Sequence, residues 1–493
     1  MSALIDQINS YVWSSALIVL CLAAGLYFSV VTRFLQLRHI SHMIGSLMGA
    51  RESKVGVSSF QALALSISGR VGVGNIAGVA TAIGFGGPGA IFWMWVIAFL
   101  GAGTAFIEST LAQMYKIEQD GQYRGGPAYY IERALGWKWY SVIFAIATIV
   151  AVGFLLPGIQ ANAIASGMQN AFNFDPVWVG SILAIVLGLI IFGGVKRISH
   201  VAEFVVPFMA VAYVAVALTI IVMNWDRIPE VLVLIFSSAF GAHATFGGII
   251  GAAVSWGVKR GIYSNEAGQG TGPHAAAAAE VSHPAKQGLV QSFSVYIDTL
   301  FVCTATAFMI LIAGTYNVHG EEGMIIENLG QVEVGPYFTQ MAVENMFSGF
   351  GSPFVAVALL FFAFTTLMAY YYIAETNVAY LTQKMESKWL IFGLRCLILV
   401  SVVYGSLRTA STAWALGDLG VGVMAWLNVI AILILRKPAL AALVDYEKQL
   451  KEGKNPTFNP TQFGIKDEQN IWLKASENPS SPDELPKKHA MKS

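Results

Sequence analysis

Ser68-Gly69-Arg70-Val71-Gly72-Val73-Gly74-Asn75-Ile76 interrupts an otherwise apolar run. Around it, the chain from Phe60 to Tyr115 reads as a helix that stops at Gly72 to Asn75 and restarts through Ile83. It then turns at Gly86-Gly87-Pro88-Gly89 and continues apolar from Ala90 to Tyr115. Lipid offers no partner to exposed N–H and C=O groups, so backbone breaks at membrane depth occur only where protein or an internal cavity receives them. A break frees about four N–H and four C=O groups at the new helix ends. Arg70 and Asn75 beside it are polar residues at mid-membrane depth, which mark functional positions.

Composition supports a membrane setting. Of 493 residues, 56% are apolar and 12% charged, about half the charge of a soluble domain. Runs of about 20 apolar residues recur, as helices crossing a bilayer require. The expected class is an all-α polytopic membrane protein with 11 transmembrane helices. They lie at about 11–32, 57–85 (interrupted), 88–116, 139–168, 177–195, 199–223, 230–258 (interrupted), 285–316, 351–383, 389–406 and 411–436. A formal net charge of zero gives no reason to expect nucleic acid as a partner. Cys21, Cys303 and Cys396 fall in apolar runs and no C-x-x-C or H-E-x-x-H occurs, so neither a disulfide framework nor a zinc site is expected. The first apolar run follows Asp6 and lacks a basic leader, so it reads as a retained span.

Loop charges set an orientation. Arg33, Arg38, Arg51, Lys54, Lys116, Arg124, Arg133, Lys138, Lys196, Arg197, Lys259, Arg260, Lys384, Lys388, Arg436 and Lys437 collect on one face, whereas Arg227 and Arg408 alone mark the loops of the other. Lys and Arg favour the cytoplasmic side. The N-terminus is therefore expected outside an inner membrane and the polar tail, 437–493, in the cytoplasm and partly disordered. A second interruption is expected around Gly241-Ala242-His243 and Phe246-Gly247-Gly248. Four intact spans separate the two, so each would open a block of five with opposite orientation, a pattern that points to a midplane site in secondary transporters. The expected units are 1–56 (an extra N-terminal helix), 57–228 (the first five-helix repeat), 229–436 (the inverted second repeat) and the tail. The alternative for the glycines is packing, since Gly74-x-x-x-Gly78 is also a small-residue helix face.

The end of the first half-helix, Ser68 to Val71, presents carbonyls suited to a monovalent cation, and the start of the second, at Asn75, an N-terminal dipole suited to a carboxylate. Such a site favours a zwitterion together with a cation. The run Val71-Gly-Val-Gly-Asn75, with Gly86-Gly-Pro-Gly-Ala-Ile-Phe-Trp-Met-Trp95, Phe106-Ile-Glu-Ser-Thr-Leu-Ala-Gln-Met-Tyr115, Arg260-Gly-Ile-Tyr-Ser-Asn-Glu-Ala-Gly268 and Asp298-Thr299, resembles the alanine or glycine:cation symporter family. More distantly, Val71 to Asn75 and Phe106 to Tyr115 are similar to the bacterial leucine transporter. The resemblance spans about residues 11–436. It implies a leucine-transporter-like fold importing a small neutral amino acid, alanine or glycine and at the larger end glutamine, with sodium or protons and no organic cofactor or obligate protein partner.

Carried onto this chain, the resemblance puts substrate at Gly72, Gly74, Asn75, Gln160, Phe246, Gly247 and Gly248. Sodium would lie against Ser68, Val71, Asn75, Thr365 and Thr366. Each has a plainer reading: Gln160 as interhelical glue, Phe246 as core, the threonines bonded to their own helix. Glu108 is expected to accept N–H groups freed by the second break. Asp298 needs a partner or a proton. Arg70 either pairs with Asp298 or Glu108 or occupies a cation pocket. Ser264, Asn265 and Glu266, with His274, read as a gate at the cytoplasmic mouth or as a capping turn. An embedded enzyme using His243, His274 and Asp298 is the rival reading, and it lacks metal-ligand spacing and a nucleophile motif.

Overall fold

The computed structural model describes residues 2–46, 55–243, 245–246, 249–320, 323–383, 388–467 and 469–472. The chain is almost entirely helical. In order come α1 (Leu4–Val31), the bent pair α2 (Ser59–Arg70) and α3 (Gly74–Gly86), α4 (Ala90–Met114), α5 (Lys138–Phe172) and α6 (Pro176–Ile191). Then follow α7 (Gly194–Met223), α8 (Ile228–Ala239), α9 (Ile250–Asn265) and α10 (Gly272–Ala278). The last are α11 (Pro284–Ala313), α12 (Gly351–Leu381), α13 (Lys388–Ser406), α14 (Ala410–Ile434) and α15 (Arg436–Lys451). Among the described residues eight helices are long and apolar enough to cross a membrane, and α2–α3, bent by 49°, makes a ninth. Two antiparallel hairpins sit at the ends: β1 (Ile117–Gln119) with β2 (Gln122–Arg124), and β3 (Asn317–Gly320) with β4 (Gly323–Glu327).

Polarity is inverted relative to a soluble protein. Val19, Ile182, Ile185, Leu189, Phe204, Phe208 and Val211 face outward, while Arg70, Glu108, Asn75, Gln160 and Asp298 are buried. Buried polar atoms cost several kcal/mol each unless bonded, so the interior contains a hydrogen-bonded network.

Local chemistry explains the breaks. Ser58 and Gln61 form a reciprocal capping box that starts α2, and α2 ends at Arg70, where Val71 leaves helical geometry with ψ 89. Pro157 cannot donate to its helix and its ring crowds the preceding turn; α5 widens into a π-helical turn at Ala151–Leu155 just before it. A second wide turn, Tyr296–Cys303, interrupts α11 and carries Asp298. Such turns recur at functional sites.

The second break is not where the sequence places it. Gly241 does take a left-handed φ of +71, but it follows the end of α8, and the chain re-enters as a fresh helix at Ile250. Residues 230–258 are therefore not one interrupted span. The buried interruption lies between α9 and α10, where Glu266, Gly268 and Gly270 have φ of +56, +83 and +90. Gly268-Gln-Gly270-Thr-Gly272-Pro273 supplies the residues: glycine adopts left-handed backbone without penalty, and Pro273 restarts a helix.

The two interrupted helices run antiparallel. Glu280 N donates to Val57 O at 3.0 Å, joining the start of α2 to the end of α10. At the opposite end a Cβ on Gly86 would lie 2.9 Å from Trp256 Cβ, so the end of α3 abuts the start of α9. Midway, a Cβ on Gly74 would lie 3.0 Å from Ser264 Cα. The breaks lie side by side.

The described part of the tail is packed. α15 and the segment through Trp472 dock where α2 and α11 begin: Phe458 N donates to Ser282 O at 2.9 Å and Ser282 Oγ to Pro456 O at 2.8 Å. Lys286 Nζ donates to Asn455 Oδ1 at 2.8 Å, and Lys116 Nζ sits 4.9 Å from the Trp472 ring. Residues 473–493 lie outside the described part.

Candidate functional site

The first break is closed on itself by side chains. Asn75 Oδ1 accepts from Gly72 N at 2.8 Å, and Gln160 Oε1, from α5, accepts from Val73 N at 3.2 Å. Both amides lost their helical acceptors at the break, and each has been given an amide oxygen instead. The space beside the glycines is filled by protein: a Cβ on Gly72 would collide with Thr366 Oγ1 and lie 3.2 Å from Gln160 Oε1. The glycines permit close packing of the second helix, α5 and α12 here.

Asp298 ties the first break to the second helix. Its Oδ1 accepts from Asn75 Nδ2 at 2.6 Å and from Ser264 Oγ at 3.0 Å; its Oδ2 accepts from Thr299 Oγ1 at 2.6 Å. Three donors satisfy one buried carboxylate, which answers its need for partners. Gln160 extends the network by donating to Tyr263 OH at 3.4 Å. Beside Tyr263, Arg260 forms a two-bond pair with Asp418 of α14 at 2.7 and 3.0 Å, its guanidinium 4.1 Å from the Trp414 ring.

Thr366 and Thr365 both reach Phe362 O of their own helix, and Thr366 reaches further. Thr366 Oγ1 lies 2.9 Å from Ser68 O and 3.0 Å from Phe362 O, so it stands against the carbonyl end of α2. Thr365 Oγ1 donates to Phe362 O of its own helix at 2.9 Å, and Ser68 Oγ is likewise turned to Leu65 O at 2.7 Å. Of the expected cation ligands, the structure brings together Ser68 O and Thr366 Oγ1.

Glu108 accepts from a freed amide, but of the break at 266–271. Gly268 N donates to its Oε1 at 3.2 Å and Asn428 Nδ2 to its Oε2 at 2.7 Å. Arg70 is not ion-paired to Glu108 or Asp298 within bonding distance among the described residues. Its Nη1 donates to Gln291 O at 2.9 Å and to Ser294 Oγ, both on α11. A rigid donor fork at the end of α2 finds the backbone of the neighbouring helix before it reaches those carboxylates, so Arg70 braces α2 against α11.

Phe246 is buried at the far end, its ring 3.4 Å from where a Cβ on Gly87 would lie. With the break relocated, it packs on the α3–α4 turn and does not meet the network; Gly247 and Gly248 lie outside the described residues. His274 is held by Thr271 O at 3.0 Å and Asn377 Nδ2 at 2.8 Å, which occupies both ring nitrogens in structure. His243 lies beyond α8 with its ring 5.0 Å from Phe246. No group of three or more His, Cys, Asp or Glu side chains placed to hold a metal occurs among the described residues. The residues of the embedded-enzyme reading have separate partners: His274 meets Thr271 and Asn377, Asp298 meets Asn75, Ser264 and Thr299, and His243 lies near Phe246. Ser264, Glu266 and Gly268 are at the break itself, facing α2 and α4, and the three glycines at alternate positions 268, 270 and 272 were the available signal.

The chain shares its fold with MhsT, solved in complex with L-phenylalanine, at a TM-score of 0.55 and 15% identity, covering 80% of this chain and 98% of that one. It is 55% identical over 426 residues to the sodium/proton-dependent alanine carrier protein of Bacillus sp. (strain PS3), 86% of this chain and 96% of that carrier. A Bacillus subtilis (strain 168) protein, YrbD, provisionally named a sodium/proton-dependent alanine carrier, is 61% identical over 475 residues, 96% of this chain and 98% of its own. The sequence profile of the sodium:alanine symporter family matches residues 1–460, and two antiparallel interrupted helices joined at mid-depth are an architecture suited to such transport: the chain belongs to that family of amino acid transporters.

Proposed function

We propose that the protein imports a small neutral amino acid, alanine foremost, together with Na+ across the cell membrane by alternating access, its eleven spans forming two inverted repeats behind an extra N-terminal helix. The observation that carries this reading is the meeting of the two breaks, with Asp298 bonded to Asn75 of one and Ser264 of the other. The substrate carboxylate takes the amides of Gly72 to Gly74 in exchange for their bonds to Asn75 and Gln160, and Gln160 then holds the ammonium. Na+ sits between Ser68 O, Val71 O and Thr366 Oγ1, a set of neutral oxygens that suits a hard monovalent cation. Exchange of internal bonds for ligand bonds keeps the buried groups satisfied in both states, so binding changes which halves are tied together. The domain limits 57–228 and 229–436, and an outside N-terminus with the tail in the cytoplasm, belong to this reading; loop Lys and Arg support the orientation, without Lys259 and Arg260, which α9 carries inside the bundle.

Uptake of labelled alanine, glycine and glutamine into proteoliposomes, with and without an inward Na+ gradient, tests it. Gradient-driven accumulation of alanine that falls roughly tenfold or more in Asn75→Ala is expected. Uptake indifferent to the gradient and to that substitution would refute the coupling. Preference for glutamine over alanine would revise the substrate alone.

A further inference from the structure

Inside the bundle, four ionisable side chains interact electrostatically: Arg70 on α2, Glu108 on α4, Glu266 in the second break and Asp298 on α11. Each is at most 2% exposed. One permanent cation faces three carboxylates. The other charged groups nearby are already committed, since Arg260 and Lys259 hold Asp418 and Lys259 also faces Asp6. The hydroxyls of Tyr263 and Tyr370, which face Glu266 from α9 and α12, carry no charge at neutral pH. Unbalanced negative charge in a dry interior is too costly to persist, and one cargo sodium neutralises only one of the two excess charges.

The hydrogen bonds distinguish which carboxylate takes the second. Asp298 receives three donors and Glu108 an amide on each oxygen, so every oxygen of both carboxylates is already paired. Glu266 Oε1 receives none, and Nε and Nη2 of Arg70 are also without hydrogen-bond partners. Its polar neighbours are Arg70 and the Thr271 hydroxyl. Glu266 is also the first residue past α9, a non-glycine at φ +56. Left-handed backbone in a side-chain-bearing residue is strained and concentrates at switching sites. A group here moves whenever α9 and α10 shift relative to each other.

We propose that Glu266 is the proton-carrying residue of the transport cycle, an inference that rests on the symport reading above. It accepts a proton from water on the entry side, travels as the neutral acid and releases the proton on the other; the only covalent change is the O–H bond made and broken.

Proton uptake linked to alanine binding by the full chain in detergent at fixed Na+, measured calorimetrically in buffers of different ionisation enthalpy between about pH 5 and 9, tests this. Wild type should take up about one proton per alanine over part of the range, Glu266→Gln none, and Glu266→Asp should keep the uptake with a displaced pH profile. Equal uptake by wild type and Glu266→Gln overturns the proposal, as does a wild type that binds alanine without protons throughout. Should Glu266→Gln fail to bind, Glu266→Asp decides: a profile superimposable on wild type overturns it and a displaced one supports it. A wild type that binds no amino acid refutes the transport reading itself.

Discussion

Gly72 carries a packing constraint in addition to its place in the break. Its lack of a side chain is required because Thr366 and Gln160 occupy the space beside it. Adding one methyl to a close-packed site costs about 1–3 kcal/mol, and here it would push Thr366 away from Ser68 O. Gly72→Ala should therefore lower Na+-driven alanine uptake roughly tenfold or more and raise the Na+ concentration for half-maximal rate, read from a sodium titration of initial uptake. Asp298→Asn keeps the shape but replaces one acceptor oxygen with a donor, opposite either the donors of Asn75 and Ser264 or the hydroxyl of Thr299. The same assay should show loss of uptake greater than for Thr299→Val, which removes one donor of three. Asn75 was legible as a polar residue of the break. Its partner was not, because Asp298 lies 223 residues away and nothing local to either residue encodes the pairing.

Among elements, the close crossing of α5 with α13 depends on two glycines: a Cβ on Gly405 would collide with the backbone of Gly158. Without a hydrophobic drive between helices in lipid, such backbone contact carries the packing. Gly405→Leu should destabilise the protein by about 1–3 kcal/mol, seen as a lower thermal midpoint in detergent, with little change in the affinity of what remains folded. The second break offers the corresponding contrast. Gly241 and Gly268 both adopt positive φ, yet the first ends a short helix and the second opens a buried gap. Residue type cannot separate them, since both are allowed the same backbone; what separates them is Glu108, whose carboxylate receives the Gly268 amide.

At the scale of the molecule, the docked tail joins α11 and α15 through His283 Nε2 and Asp445 Oδ2 at 3.3 Å. Burial holds the His283 pKa below its ordinary value, and the hydrogen bond from His283 is the first cause of the lowered Asp445 pKa. A histidine more easily protonated when undocked destabilises docking below its free pKa. The tail should therefore loosen as pH falls through about 6.5, while Asp445, ionised across that window, adds loss only at lower pH. Limited proteolysis of residues 452–472 should accelerate over that range in the wild type and show no such step in His283→Asn.

The membrane class, the family and the position of the first interruption were legible in the chain of residues alone, because apolar run length and the Gly72-Val73-Gly74-Asn75 signature are local properties. Asp298 stood out as an acid within a span that needs a partner, while Glu108 and Thr366 were singled out by the resemblance. It took the assembled helices to show that the second gap lies at Glu266 to Thr271, that Arg70 braces α11, that Thr365 turns to its own helix and that the tail through Trp472 is packed. Each of these depends on which buried acceptor is nearest once the helices are assembled. Distance between elements, and not the character of any residue alone, sets that choice.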